Sequence, residues 1–181
     1  MHIGYWLKFM LFFGKYRHKV VTQKAEDLFS FDFPTLKVNG IKLLIFDVDD
    51  TLTAHLDDMG KEVKELFARL KKEGFNLAVF SNSSSKRIRE LEDFFANLGV
   101  FNVSRSDKPN PAGYREIIKH HNISGINSAM FGDKIGTDLF GAYLAGIRER
   151  ILVMPYSHKH GGKKASLPFR LVRFIEKLLA G

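Results

Sequence analysis

The chain has 181 residues, 28 Lys+Arg against 20 Asp+Glu for a formal net charge of +8, and no cysteine. That length suits one domain with a real core rather than two, and the lack of cysteine excludes disulfides, thiolate metal sites and cysteine nucleophiles while fitting a reducing, cytoplasmic setting. The positive balance favours anionic partners, and no stretch has the ~20 consecutive apolar residues of a membrane-spanning helix.

From the N-terminus, residues 3–13 carry Ile3, Leu7, Met10 and Leu11 at helical spacing, with Trp6, Phe12 and Phe13 leaving little polar face; Lys15, Arg17, His18 and Lys19 follow. An aromatic segment followed by basic residues reads as an interfacial membrane anchor or, equally, as a terminal helix docked on the domain or on another subunit. The spacing predicts a second short helix over Thr22–Phe29, with Asp32-Phe33-Pro34 as the connection into the first strand. Residues 1–40 are thus a helical, basic-aromatic lead-in, and 41–181 the core.

Ile41, Leu43, Leu44, Ile45 and Phe46 form an almost continuous apolar run, as expected of a strand buried on both faces of a parallel sheet. Asp47, Asp49 and Asp50 crowd its end. Packing alone would not put three carboxylates there, since like charges and desolvation both disfavour ionisation, so a cation belongs at this point. A helix follows over Lys61–Glu73, marked by Val63, Leu66, Phe67 and Leu70 and stopped by Gly74. Asn76–Phe80 reads as a second strand delivering Ser81-Asn82. A helix reaches Leu98, Val100–Val103 is a third strand, and Asp107-Lys108-Pro109 precedes a helix marked by Tyr114, Ile117 and Ile118. Ser128–Phe131 is a fourth strand running into Gly132-Asp133-Lys134-Ile135-Gly136-Thr137-Asp138, with a helix over Thr137–Ala145. Ile151–Met154 is a fifth strand, and Tyr156–Ser166 a loop. Pro168–Leu179 ends the chain as a basic amphipathic helix, with Arg170, Arg173 and Lys177 opposite Leu171, Val172, Ile175, Leu178 and Leu179. Strands alternating with helices indicate an α/β, Rossmann-like, doubly wound parallel sheet.

Four polar clusters therefore fall after successive strands at one sheet edge, where open α/β sheets bind ligands: Asp47/Asp49, Ser81/Asn82, Lys108 and Asp133/Asp138. As DVDDT, FSN, DKP and GDKIGTD they strongly resemble the four motifs of the haloacid dehalogenase superfamily of aspartate-nucleophile phosphohydrolases, over Ile41–Pro155. The basic-aromatic opening, the KP after the third strand, the ILVMP strand and the basic final helix are similar to the YqeG-type phosphatases of subfamily IIIA, relatives of the phosphatidylglycerophosphate phosphatases. Asp50 stands where that group usually has Asn, which implies an added negative charge near the metal. Gly141-Ala142-Tyr143 replaces its usual Gly-Asn.

The resemblance implies a Mg²⁺-dependent phosphatase acting through an aspartyl-phosphate. Asp47 is the expected nucleophile and Asp49 the acid/base. Asp47, Asp133 and Asp138 would serve the metal together with the Asp49 backbone carbonyl, Asp138 acting directly, through water or by orienting Lys108. Ser81, Asn82 and Lys108 would face the phosphate. An all-oxygen donor set suits Mg²⁺, and a carboxylate cannot approach a phosphate dianion unless positive charge offsets the repulsion. The intervals Leu52–Phe80 and Asn82–Asp107 leave no room for an inserted cap domain, so the expected site is capless.

The expected substrate is a phosphate monoester. Phosphatidylglycerophosphate leads by resemblance, which would place the protein peripherally at the inner face of a membrane; a soluble phosphorylated metabolite or nucleotide is the alternative. A second class, a non-catalytic phospho-acceptor or anionic-surface module, fits less well, because receiver domains place the acceptor after a later strand. No nucleic-acid motif is present. His158 and His160 lack a third ligand for a transition-metal site, and Gly161-Gly162-Lys163-Lys164 lacks the strand–loop–helix frame of a P-loop.

Overall fold

A computed structural model of the chain describes residues 19–55, 57–82, 85–104, 107–161 and 174. In chain order the elements are β1 (Gln23–Ala25), α1 (Phe33–Val38), β2 (Leu43–Phe46), α2 (Lys61–Lys72), β3 (Asn76–Ser81), α3 (Ser85–Asn97), β4 (Phe101–Ser104), α4 (Ala112–His121), β5 (Ser128–Gly132), α5 (Phe140–Leu144), β6 (Glu149–Val153) and α6 (Tyr156–Lys159). A π-helical turn over Ile135–Leu139 leads from β5 into α5.

The strands form one sheet in the order β1-β6-β5-β2-β3-β4, and every neighbouring pair is parallel. The chain leaves β2 toward β3 and β4, then returns to the other side of β2 with β5 and β6. The switch point of this doubly wound sheet is therefore the crevice at the carboxyl ends of β2 and β5, the place where such sheets bind ligands.

Side-chain alternation along each strand explains the apolar runs. Leu44 and Phe46 of β2, Leu77 and Val79 of β3, and Phe131 of β5 pack on one face with Phe33 and Leu36 of α1, Phe67 and Leu70 of α2, and Leu91 and Phe95 of α3. Leu43, Ile45, Phe80 and Met130 pack on the other with Tyr114 and Ile117 of α4 and with Leu139 and Phe140. Phe46 and Phe131 stack at 5.0 Å between ring centroids, so aromatic packing ties β2 to β5 immediately below the carboxylates. In α2 the buried residues are Val63, Leu66, Phe67 and Leu70, the single stripe that their spacing requires. Gly74 ends that helix at φ +85°, a conformation few other residues adopt.

Three expectations are corrected. Within Thr22–Phe29, expected as a helix, Gln23–Ala25 is strand β1, paired to β6 with Gln23 opposite Ile151 and Ala25 opposite Val153. The open edge of β6 supplies pairing that outweighs a weak local helix preference. The stretch after Asp32 is not a simple connection but opens α1: Asp32 Oδ1 accepts from the Thr35 backbone N–H at 3.3 Å, and a proline stands in the first turn. Tyr156–Lys159, expected as loop, is the short helix α6. The segments 3–19 and 168–179, read as membrane or docking helices, lie outside the described residues apart from Lys19 and Phe174.

Candidate active site

β2 ends at Phe46, and the next backbone N–H, that of Asp47, still bonds to the Phe131 carbonyl at 2.9 Å. Asp47 is thereby held against the end of β5, where Asp133 follows Gly132. The π-helical turn then brings Asp138 back over the strand end. Its Oδ2 accepts from the Lys134 backbone N–H at 3.0 Å, and its N–H donates to the Lys134 carbonyl at 3.0 Å. Such wide turns recur where a helix must present a side chain to a site. Gly132 makes the approach possible, because a Cβ there would lie 2.5 Å from the Asp138 Cβ. Asp47, Asp133 and Asp138 are all buried and offer carboxylate oxygens within 4.8 Å of one another.

Lys108 binds this group together. Its Nζ donates to Asp47 Oδ1 at 2.5 Å, Asp138 Oδ1 at 2.7 Å and the Phe80 carbonyl at 2.9 Å, and the residue is 2% exposed. An ammonium has three N–H donors, and all three are engaged. Lys108 expected on the phosphate is therefore first a clamp between two carboxylates. A phosphoryl oxygen gains one of its protons only as an existing bond is exchanged.

Asn82, also expected on the phosphate, directs its carboxamide elsewhere: Oδ1 accepts from the Lys108 N–H at 3.0 Å and Nδ2 donates to the Lys108 carbonyl at 3.3 Å. The side chain fixes the lysine backbone. Ser81 lies buried at the end of β3 beside it. Asp49 is half-buried in the turn after Asp47 and is not among the three clustered carboxylates.

The charges set the protonation states. Burial, reinforced by the Asp138 and Asp133 carboxylates, pushes the Asp47 carboxyl up to about 7 against the opposing pull of Lys108 and Lys134. Burial would also raise Asp138, but Lys108, Lys134 and their hydrogen bonds hold it below the usual aspartate value. For Lys108 burial works against the ammonium, yet Asp138 and Asp47 outweigh it and raise its pKa. Asp47 Oδ2 is a buried carboxylate oxygen that receives no hydrogen bond. An orphaned anionic oxygen among three carboxylates calls for positive charge, and the donors are all oxygen, so the residues fit a hard divalent cation such as Mg²⁺.

Two contributors escaped the sequence reading. Lys134 places a second ammonium at the site, 2.9 Å from Asp133 Oδ1; in the sequence it is merely a spacer of the GDKIGTD motif. Tyr114, read as a core mark of α4, is fully buried and donates its hydroxyl to the Asp138 carbonyl at 2.8 Å, propping the π-helical turn. Helical periodicity reports that Tyr114 faces inward but not that its hydroxyl finds a partner.

The family model for haloacid dehalogenase-like hydrolases matches residues 57–146, which include the FSN, DKP and GDKIGTD motifs. The fold is that of the haloacid dehalogenase-like hydrolases. Since that match starts beyond the DVDDT turn, the place of Asp47 in the site rests on the geometry above. The chain is 32% identical over 162 residues to a phosphatidylglycerophosphate phosphatase of Arabidopsis thaliana chloroplasts and mitochondria, covering 85% of this chain and 44% of that protein. It is 28% identical over 91 residues to a glyceraldehyde 3-phosphate phosphatase of Pyrococcus furiosus, covering 47% and 38% respectively. It spans less than half the length of these curated relatives. Among solved structures, an uncharacterized protein from Listeria monocytogenes serotype 4b superposes with a TM-score of 0.52 at 17% identity, over 77% of this chain and 98% of that one. No helix among the described residues is long and apolar enough to cross a membrane.

Proposed function

We propose that the chain is a Mg²⁺-dependent phosphomonoesterase working through an aspartyl-phosphate on Asp47. The observation that carries this reading is the buried trio of Asp47, Asp133 and Asp138 clamped by Lys108 at the switch point of the sheet, with one oxygen of Asp47 left without a hydrogen bond. Asp47, Asp133, Asp138 and the Asp49 carbonyl are the groups that would hold the ion. Once bound, Mg²⁺ would neutralise phosphoryl charge and lower the pKa of the neighbouring carboxyls.

The remaining chemistry belongs to the chain. The Asp47 carboxylate attacks phosphorus as the ester P–O bond breaks, and the Asp49 carboxyl gives its proton to the departing alkoxide. Asp49, now a carboxylate, takes a proton from water, whose oxygen attacks the same phosphorus. Inorganic phosphate leaves and the Asp47 carboxylate is restored. Ser81 donates to a phosphoryl oxygen, and Lys108 turns toward the phosphate as Asp47 becomes esterified. Asn82 serves by holding Lys108.

The site is read as capless, since among the described residues α2 is the one helix between the DVDDT turn and β3, and α3 the one helix between β3 and β4. An open site suits an ester presented at a surface. With the similarity to the Arabidopsis protein over 85% of the chain, this supports phosphatidylglycerophosphate as substrate, reached from the inner face of an anionic membrane. The similarity to the archaeal phosphatase supports a second reading, a small soluble phosphate ester. Release of phosphate from p-nitrophenyl phosphate with and without Mg²⁺ tests the reaction. Phosphatidylglycerophosphate in anionic vesicles run beside glyceraldehyde 3-phosphate separates the substrates. Preference for the soluble ester with no vesicle binding would defeat the lipid assignment and leave the reaction class intact.

A further inference from the structure

Asp50 is fully buried and adopts φ +65°, left-handed backbone that Gly, Asn and Asp enter at least cost. Its carboxylate oxygen Oδ1 accepts from the hydroxyl of Ser157 on α6 at 3.2 Å. Its carbonyl accepts from the Tyr156 N–H at 2.8 Å, and its own N–H donates to the Thr53 carbonyl at 2.8 Å. The turn that carries Asp49 is thus gripped through both backbone and side chain.

The gripping element is itself anchored. Tyr156 donates its hydroxyl to Glu62 at the start of α2 at 2.9 Å, while Lys159 and His160 each reach Asp27, beyond β1, at 3.3 Å. Phe29, Tyr156 and His160 pack ring against ring over the same junction. A helix of four residues has little stability of its own, so these ties give α6 its rigidity. Asp27 and Phe29 beyond β1 and Glu62 on α2 therefore brace α6, and α6 in turn grips the turn that carries Asp49.

We propose that Asp50 and Ser157 are positioning residues for Asp49: their hydrogen bond splints the turn so that the acid/base carboxyl stays aligned with the leaving group. The inference rests on the phosphatase reading. It differs from a purely structural role in one respect, namely that misplacing a general acid hurts esters with poor leaving groups more than those with good ones.

The test compares wild type, Asp50→Asn, Asp50→Gly and Ser157→Ala on p-nitrophenyl phosphate and on a simple alkyl phosphate, with Mg²⁺ present. Asp50→Gly keeps the left-handed turn but removes the acceptor, and Ser157→Ala removes the donor without touching the turn. Both should lose about tenfold more kcat/KM, which reports the leaving-group step and not the shared hydrolysis of the aspartyl-phosphate, on the alkyl ester than on the aryl ester, a fraction of the 10²–10⁴ typical of a general acid. Asp50→Asn, which retains the acceptor and tolerates the turn, should recover most of the alkyl-ester rate. Equal losses on both esters, or none, would overturn the proposal. Hydrogen exchange in the peptide holding Asp47–Thr53 provides a readout that needs no turnover. Faster exchange in Asp50→Gly and Ser157→Ala than in Asp50→Asn supports the splint, and unchanged exchange overturns it. A wild type inactive on both esters would sink the phosphatase reading and with it the catalytic half of this one, while exchange still decides the splint.

Discussion

Replacing Lys108 by Ala removes the cation that bridges two buried carboxylates and holds them in place. Each of its ion pairs, at 2.5 and 2.7 Å, carries a gross attraction of about 6 kcal/mol at an effective dielectric near 20. Desolvation of all three groups cancels most of that. Deleting one member of a buried pair nevertheless costs about 3–5 kcal/mol, because the partner charge stays buried without its counter-ion. A loss in that range is expected for Lys108→Ala from urea unfolding at about pH 7.5 in the presence of a chelator. The sign of the pH dependence follows from the pairing. Lys108 now holds Asp138 below its usual value; without it, burial lifts both carboxyls, which then protonate as pH falls and relieve the variant. The deficit should therefore shrink toward pH 5, and Mg²⁺ should restore part of it at pH 7.5. A cost below about 1 kcal/mol, the scale of an exposed pair, would refute the claim that Lys108 is the buried hub of the site.

Gly132→Ala would push a methyl group into the Asp138 side chain, 2.5 Å from its Cβ; a loss of about 1–3 kcal/mol with reduced turnover is expected, and unaltered stability and rate would contradict the close approach. The Asp47 carboxyl, raised from 3.8 to about 7, holds a proton in the folded chain that the unfolded chain has already lost, so this group makes stability fall as pH rises from about 4 to about 7. A cation bound to the ionised form removes that penalty, and the Mg²⁺-induced rise in Tm should be larger at about pH 8 than at about pH 5.5, whereas equal rises would speak against Asp47 as a ligand.

Much of this site is legible in the sequence because it is built from strand ends. A run such as Leu43–Phe46 announces a strand buried on both faces, and the residues just beyond it can occupy only one edge of the sheet. Asp47, Ser81, Lys108 and Asp133 are placed by that logic alone. What the sequence conceals is direction. Asn82 and Lys108 stand at the right edge, yet whether the carboxamide faces a substrate or the lysine backbone depends on a loop geometry that no spacing encodes. Asp50 fits a site when read in the motif and faces α6 once the turn takes its left-handed form. Strand β1 was hidden for another reason: three residues carry too little local preference to declare a strand, and the open edge of β6 decides for them.

In the proposed mechanism Asp47 becomes covalently phosphorylated. Acid quenching during turnover of a phosphomonoester with Mg²⁺, followed by hydroxylamine trapping and peptide mapping, tests it directly. A label is expected on Asp47 that disappears in Asp47→Asn, while that variant unfolds cooperatively like the wild type. A label on another residue, or undiminished turnover by Asp47→Asn, would contradict it.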